Sequence, residues 1–487
     1  MSRSTASSAS DRTASDRTTS DRTTSVPSPS PQLQAPLSGV TVLDFSRLLP
    51  GPYATMLMVQ LGARVIKVEE PGVGDYVRIF PPLADGVSWK YRWLNRGKES
   101  VGIDLKHPDG QTLVRDLATK ADVLVEGYRP GVMERLGFSY DDVAKVNPGI
   151  IYCSITGYGQ TGPYRDKVGH DFNYTAVAGI LSMATRNDAP PTPAGIQIGD
   201  LGGGAMMAVT SILAALLQRT RTGRGQYLDV SMLDGLVSWL SYNVADYFAT
   251  GSQPQPLERQ LGGDFACYRA YHTRDGKSIA VGAVENHFWK NLCDALGRPE
   301  YAAKQFVPHP EQQAVIDWLA ATFASDDRDA WVKRLSHLEV CVTPVNDLAD
   351  LVQDEQVIAR ELFHTEPDGA PWVRFPVPME GLGSVSATSP GGGQAVDGGQ
   401  AAVGGGGPGA GAGAVAGAGE RRAAGAVAGA GAGAGERRAA GAGAGTEAGA
   451  GAGAYAVGAA TRSVLTEFGY SVEKIDALEQ SGVFGKR

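Results

Sequence analysis

The fold is predicted by the stretch VTVLDFSRLLPGPYATMLMVQLGARVIKVE, residues 40–69. Residues 40–45 form a short apolar run of the strand type, and Pro50, Gly51 and Pro52 then indicate a turn. Residues 53–61 have helical spacing, and residues 63–69 are strand-like again. This is a strand–helix–strand unit, which is typical of a parallel sheet covered by helices.

The same alternation continues on the C-terminal side. Apolar runs at residues 100–105, 123–126 and 150–155 are separated by helical segments, and residues 226–230 are another strand. Long helices are predicted at about residues 203–219 and 233–249. The fold class is therefore α/β, with a large open domain of mainly parallel sheet at residues 36–230 and a linker helix at residues 231–265.

Beyond the linker the pattern changes. Residues 266–284 contain alternating strands around Asp275-Gly276, which is a hairpin signal. A smaller α+β domain is predicted at residues 266–345. Residues 346–390 return to the large domain, and residues 461–487 contribute two short C-terminal helices to it.

Two segments lie outside these domains. Residues 1–35 repeat Ser-Asp-Arg-Thr at Ser10, Ser15 and Ser20 and contain no apolar signal-peptide core, so we expect a disordered tail. Residues 391–460 are dominated by Gly and Ala, and 25 of the 64 glycines of the chain lie between Gly391 and Ala454. Such a segment has few large side chains to bury and much backbone entropy to lose, which predicts a disordered insert.

Charge and composition exclude several classes of function. The 44 Lys and Arg residues against 52 Asp and Glu residues give a formal net charge of -8, so nucleic acid is not expected as the main partner. The longest apolar run, residues 205–217, is too short to span a bilayer, so we expect a buried helix and no membrane partner. The four cysteines lack the spacing of a metal site and fit a reducing cytoplasm.

A glycine motif invites a dinucleotide-binding interpretation. Gly157, Gly159 and Gly162 have G-x-G-x-x-G spacing just after a strand. However, Pro163 and a polar run follow where the apolar helix should begin, and no strand ending in an acidic residue comes about twenty residues later. A nicotinamide or flavin cofactor is therefore not predicted.

Two polar segments precede apolar helical sequence: GHDFNY at residues 169–174 and GDLGGG at residues 199–204. An Asp at the start of a helix is commonly an N-cap, and a single histidine is commonly a satisfied polar residue. Spacing alone therefore leaves both a structural and a catalytic role open for His170 and Asp200.

Residues 36–378 resemble the family III CoA-transferases, and within them most of all the α-methylacyl-CoA racemases. The matching stretches are SRLLPGPYATMLMVQLGARVIKVE, LNRGKESVGIDLK, VEGYRPGVMERLG, GHDFNY, GDLGGGAM, LLQRTRTGRGQYLDVSMLDG and CVTPV. Residues 461–484 resemble the C-terminal piece of the family. The resemblance implies an interlocked homodimer with the family's large and small domains, an acyl-CoA thioester as substrate, and neither a metal nor a separate cofactor.

The resemblance also implies site residues. Asp200 matches the aspartate that transferases and racemases share, and His170 matches a histidine typical of the racemases. Glu285 matches a glutamate that supports this histidine, although the family's usual Glu-Pro is Glu-Asn here. The contacts to CoA that the resemblance implies are Arg47, Arg78, Asn95, Lys98 and Arg129.

Three functions remain open. In a racemase, His170 and Asp200 would exchange the α-proton of a thioester from opposite faces, while the backbone N–H of Asp171 stabilises the enolate oxygen and Glu285 orients the imidazole. In a CoA-transferase, the Asp200 carboxylate would attack the acyl-CoA carbonyl and His170 would not be required. Because only the racemase requires His170, its presence favours that function over the transferase. A non-enzymatic scaffold would leave His170, Asp200 and Glu285 unexplained.

Overall fold

The computed structural model describes residues 33–184, 190–253, 261–365, 371–382 and 455–485. Nearly all of the predicted N-terminal tail, and the Gly/Ala-rich insert up to residue 454, lie outside these residues. The strands are β1 (Thr41–Asp44), β2 (Arg64–Glu69), β3 (Leu83–Ala84), β4 (Val87–Ser88), β5 (Glu99–Gly102), β6 (Val123–Glu126), β7 (Ile151–Thr156), β8 (Gln226–Ser231), β9 (Tyr268–His272), β10 (Ser278–Gly282), β11 (Val342–Pro344), β12 (Phe363–Thr365) and β13 (Pro371–Val373).

The helices alternate with the strands through the first half of the chain and dominate the second half. They are α1 (Pro50–Gln60), α2 (Trp89–Leu94), α3 (Pro108–Lys120), α4 (Val132–Arg135), α5 (Tyr140–Val146), α6 (Asp171–Val177), α7 (Ile180–Ala184), a π-helical segment (Gly199–Met206), α8 (Met207–Thr222), α9 (Met232–Trp239), α10 (Ser241–Thr250), α11 (Asn286–Ala295), α12 (Glu311–Phe323), α13 (Arg328–Leu335), α14 (Leu348–Leu351), α15 (Glu355–Ala359), α16 (Thr461–Glu467) and α17 (Val472–Ser481). Short 3₁₀ turns occur at Tyr76–Ile79 and Pro299–Lys304.

A six-stranded parallel sheet organises the large domain, which confirms the predicted α/β class. Its strand order is β5-β2-β1-β6-β7-β8, and all five pairings are parallel. Strand order reverses at β1, since β2 and β5 lie on one side of it and β6, β7 and β8 on the other. In open sheets of this kind, ligands bind beyond the carboxyl ends of the strands at such a reversal.

Helices cover both faces of the sheet. On one face, α1, α8 and α9 bury residues such as Met58, Ile212 and Leu236. On the other face, α3 packs with the C-terminal helices α16 and α17, which bury Val464 and Ile475. The chain therefore returns to the large domain at its C-terminal end.

The small sheet has the order β11-β10-β9, and both of its pairings are antiparallel. Strands β9 and β10 flank Asp275-Gly276, where the sequence predicts the hairpin, and Gly276 has a positive φ of 77°. Helices α11 and α12 pack on this sheet around the buried residues Trp289 and Phe323.

The helical segments near residue 200 differ from the sequence prediction. The π-helical segment continues directly into α8, so the helix spans the 24 residues Gly199–Thr222 and is not limited to the apolar run. Its mean hydropathy reaches 1.6, which by length and composition is enough to cross a membrane, as some core helices also are; 44% of that window is buried within the molecule. The predicted helix at 233–249 is two helices, α9 and α10, which meet at Leu240.

Candidate active site

A cleft of about 640 Å³ opens at the carboxyl edge of the central sheet. Its walls include residues 46–48 after β1, residues 127–130 after β6, and residues 155–158 at the end of β7. His170 and Asp200 both line this cleft. The sequence-predicted pair therefore shares one cavity at the position where strand order reverses.

His170 immediately precedes α6, and its side chain is exposed at the cleft. Its backbone N–H donates to Asn173 Oδ1 at 3.0 Å, so the Asn173 side chain helps to close the first turn of the helix. This arrangement holds the backbone of His170 at a fixed helix start and presents its imidazole to the cavity.

Asp200 lies in the first turn of the long helix and is half-buried. Burial raises the pKa of Asp200 to about 7, and the nearby carboxylate of Asp171 acts in the same direction. A carboxyl group with this pKa can both release and accept a proton near neutral pH.

The carboxylate of Asp171 connects the two helix starts. Its Oδ1 accepts hydrogen bonds from the N–H groups of Gly199 at 2.5 Å and of Asp200 at 3.0 Å. The side chain thus fixes Asp200 relative to His170, a role that the sequence analysis missed because it depends on a tertiary contact. The N–H of Asp171, the predicted enolate donor, is the first of α6 and therefore has no acceptor within the helix.

Arginines give the cleft a positive wall. Arg47 packs against the rings of Tyr76 and Tyr128, each with its centroid 5.1 Å from the guanidinium carbon, and donates to the Tyr76 hydroxyl at 2.9 Å. Arg129 and Arg135 also line the cleft, and neither side chain makes an ion pair or hydrogen bond with another residue in the described part of the chain. Both are therefore available to bind an anion.

Three further cationic residues of the cleft were not predicted from the sequence as site residues. Arg135, Arg165 and Lys167 line it beside the predicted Arg47 and Arg129. Arg135 belongs to the quoted stretch VEGYRPGVMERLG, so a signal for it was present; Arg165 and Lys167 lie in the polar run that argued against a dinucleotide site.

Three residues predicted to contact CoA do not line the cleft. Arg78 is buried and binds the carboxylate of Glu69 through Nε at 2.9 Å. Lys98 Nζ lies 3.2 Å from Asp44 Oδ2 and donates to Asn95 Oδ1 at 3.0 Å. A CoA contact at Arg78, Asn95 or Lys98 therefore stays a prediction, and internal partners account for their present positions.

Glu285 lies in the small domain, directly before α11. It is not among the residues that line the cleft with His170 and Asp200. Within this single chain, the structure brings together two of the three predicted catalytic residues.

A second, more apolar cavity of about 330 Å³ adjoins the cleft. The two cavities share Arg47, Tyr128, Val132 and Arg135, and Ile103 contributes to the second one. An extended ligand could therefore occupy both and pass Arg47 at their junction. Among the described residues, no group of three or more His, Cys, Asp and Glu side chains could hold a metal ion.

Comparisons with known proteins all indicate the same protein family. The sequence model described as CoA-transferase family III matches residues 37–395. The chain is 36% identical over 336 residues to an acetyl-CoA:oxalate CoA-transferase of Acetobacter aceti, which covers 68% of this chain and 86% of the relative. It is 34% identical over 355 residues to an alpha-methylacyl-CoA racemase of Mus musculus, which covers 70% of this chain and 86% of the relative. Among solved structures, a CaiB/BaiF family protein from Brucella suis superimposes with a TM-score of 0.64 at 30% identity, over 71% of this chain and 93% of the other.

Proposed function

The chain belongs to CoA-transferase family III, in which its relatives include CoA-transferases and an alpha-methylacyl-CoA racemase, and we propose that it racemises 2-methylacyl-CoA thioesters through His170 and Asp200. The observation that carries the proposal is that these two side chains line one cleft from neighbouring helix starts. A transferase needs only the carboxylate, whereas a racemase needs two acid/base groups.

The reaction follows from the two groups. The neutral imidazole of His170 removes the α-proton, and the C–H electron pair moves into the thioester to give an enolate. Protonated Asp200 then returns a proton to the opposite face of the same carbon, which yields the other epimer, a carboxylate and an imidazolium. The reverse direction exchanges the two roles. A pKa of about 7 for Asp200 supports this exchange at neutral pH.

The enolate oxygen requires a donor that is already in position. The N–H of Asp171 is proposed for this, because it begins α6 and the Asp171 carboxylate is held by the N–H groups of Gly199 and Asp200. The phosphates of CoA would bind Arg47, Arg129 and Arg135, and the adjoining apolar cavity would accept the nucleotide end.

A homodimer is proposed to complete the site. Trp239 of α9 and Tyr242 and Phe248 of α10 have 49%, 74% and 80% of their surface exposed. Large apolar side chains that are exposed on neighbouring helices support an interface there. Glu285 does not line the cleft of its own chain. The partner's Glu285 would then orient the imidazole of His170 across the interface.

The second candidate is a CoA-transferase, which the 36% identity to an acetyl-CoA:oxalate CoA-transferase favours. In that mechanism Asp200 forms a mixed anhydride with the acyl group and then a thioester with CoA, before a second carboxylic acid takes the CoA. Proton exchange at the α-carbon has no place in this route.

Deuterium exchange separates the two candidates. Incubation of a 2-methylacyl-CoA with the protein in deuterated water should introduce α-deuterium, and His170→Ala should reduce the rate by about 10²–10⁴-fold, the usual contribution of a general base. His272→Ala, which removes an exposed histidine of the small domain, should leave the rate unchanged. If no deuterium enters while CoA passes to an added carboxylate and hydroxylamine traps an Asp200 thioester, the protein is a transferase. If neither reaction occurs, both proposals are wrong.

A further inference from the structure

A buried network of charges lies beneath the loop that carries Arg47, and the proposed chemistry does not use it. Asp44, Lys67 and Asp75 are at most 1% exposed. Lys67 Nζ lies 3.2 Å from Asp75 Oδ2 and 4.0 Å from Asp44 Oδ2. Because desolvation offsets much of the attraction between fully buried charges, such a network is weak evidence for stability alone.

Each of the three side chains is bonded to the backbone of residues 46–48. Asp44 Oδ1 accepts from the Ser46 N–H at 2.9 Å, Lys67 Nζ donates to the Ser46 carbonyl at 2.9 Å, and Asp75 Oδ1 accepts from the Leu48 N–H at 3.0 Å. The network therefore fixes the backbone on both sides of Arg47.

The loop has a conformation that its own residues do not favour. Leu48 has a positive φ of 66°, which lies in the left-handed region that residues other than glycine seldom adopt. Leu48 is 37% exposed and does not belong to the buried core. Backbone strain of this kind persists where surrounding contacts impose it, and the contacts here come from the buried charges.

The loop presents Arg47 at the junction of the two cavities. Asp75 also orders one of the partners of Arg47, because Asp75 Oδ1 accepts from the Val77 N–H at 3.1 Å and so caps the turn that carries Tyr76. One carboxylate thus orients both the arginine and an aromatic ring that packs against it.

We propose that Asp44, Lys67 and Asp75 are positioning residues for CoA binding, which act by holding Arg47 in its binding orientation and do not touch the substrate. The proposal rests on the proposed function only in that a CoA thioester binds in this cleft, and it holds for a racemase and a transferase alike. Arg47 would contact the non-reacting part of the substrate, so loss of its orientation raises KM and the Kd for CoA more than it lowers kcat.

The network also gives Lys98 a role without a direct CoA contact. Lys98 Nζ lies 3.2 Å from Asp44 Oδ2 and donates to the Pro52 carbonyl at 2.9 Å. It therefore supplies Asp44 with a second cation and ties the strand end to the start of α1.

A double-mutant cycle tests the proposal on the full-length chain, with the Kd for free CoA measured by calorimetry and kcat and KM by the exchange assay. Arg47→Ala and Asp75→Ala should each raise the Kd by about 10-fold, the equivalent of one hydrogen bond to a charged group. In the Arg47→Ala background, Asp75→Ala should change the Kd by less than about twofold, since its effect passes through Arg47.

Asp354→Ala is the matched control, because Asp354 also caps a helix with its carboxylate but has no connection to the cleft. It should leave the Kd unchanged in both backgrounds. Should Asp75→Ala fail to fold, Asp75→Ser retains a capping hydroxyl for the turn and removes the charge that faces Lys67, and the same non-additivity is expected.

The outcomes are distinct. If wild-type protein binds CoA but the two effects multiply to about 100-fold, the network acts independently of Arg47 and only this proposal is overturned. A folded Asp75 variant with wild-type Kd overturns it as well. If the wild-type protein does not bind CoA at all, the proposed function fails, and the positioning proposal fails with it.

Discussion

Asp200 is a residue whose chemistry is set by its surroundings. Its pKa of about 7 arises first from burial and then from the charge of Asp171. An aspartate carboxyl group ordinarily has a pKa of 3.8. Between about pH 4 and pH 7, Asp200 therefore retains a proton in the folded protein that it has lost in the unfolded chain. Stability therefore falls as the pH rises through this range and stays reduced above it.

We predict that Asp200→Asn abolishes exchange activity but stabilises the protein, because the amide cannot ionise. The rise in Tm relative to wild type should be larger at pH 8 than at pH 5, as measured by calorimetry. Asp142→Asn is the control, because hydrogen bonds from Ser139 and then from Lys145 lower the pKa of Asp142. Ionised Asp142 therefore contributes fully to the free energy of unfolding at any pH above the pKa of an unfolded aspartate. The effect of Asp142→Asn on Tm should thus be equal at pH 5 and pH 8. A pH-independent effect of Asp200→Asn would contradict the raised pKa.

At the residue scale, GHDFNY and GDLGGG alone left a structural and a catalytic role open for His170 and Asp200, and the family resemblance selected the catalytic one. The structure brings both side chains to one cleft. The resemblance also implied CoA contacts at Arg78 and Lys98, but whether such a cation is buried and paired depends on residues that are distant in sequence. No local pattern distinguishes an arginine that faces a cavity from one that binds Glu69 inside the fold.

At the element scale, the position of Asp200 depends on close packing between two helices. A Cβ on Gly203 would lie 2.4 Å from the Met232 carbonyl oxygen, and a Cβ on Gly235 would lie 2.3 Å from the Gly203 carbonyl oxygen. The glycines thus allow the π-helical segment to rest on α9. The sequence predicted that this helix begins at about residue 203, whereas the structure begins it at Gly199. The contact with α9, which the local sequence does not reveal, accompanies the earlier start.

We predict that Gly235→Ala separates these helices and displaces Asp200, because the methyl group would meet backbone atoms that cannot move aside. Overpacking typically costs about 1–3 kcal/mol, and a displacement of about 1 Å at a reacting group can lower the rate about 100-fold. Both Tm and kcat should therefore fall. Gly149→Ala is the matched control, since its nearest neighbour would be Asn147 Oδ1 at 3.5 Å. A wild-type kcat for folded Gly235→Ala would show that this packing does not position Asp200.

At the scale of the whole molecule, the large domain is completed by its last residues. The chain leaves the described region at residue 382 and re-enters it at residue 455, and α16 and α17 then cover one face of the sheet. Val464, Leu465, Ile475 and Leu478 are at most 4% exposed. Arg64 joins Glu467 to the sheet through an ion pair of 2.6 Å.

We predict that residues 391–454 can be replaced by a linker of about 20 Gly and Ser residues with no change in Tm or exchange rate, because a sequence dominated by Gly and Ala has few large side chains to bury. Removal of residues 455–487 should instead prevent folding, since each buried aliphatic side chain contributes about 1.5–3 kcal/mol and the net stability of a domain is only about 5–15 kcal/mol. Loss of activity in the linker variant, with its Tm retained, would assign the Gly/Ala-rich segment a role in the site.

The proposed dimer places Glu285 of one subunit beside His170 of the other, and this arrangement makes a prediction about mixed dimers. His170→Ala and Glu285→Gln should each be inactive as homodimers. When the two variants are co-expressed with different tags and the mixed dimer is purified, one of its two sites contains neither substitution, so about half of the wild-type exchange rate per dimer should return. If each site instead took all its residues from one chain, the mixed dimer would stay inactive. Co-expression of His170→Ala with Asp200→Asn is the matched control: both residues line the cleft of the same chain, so every site of that mixed dimer lacks one of them and no activity should return.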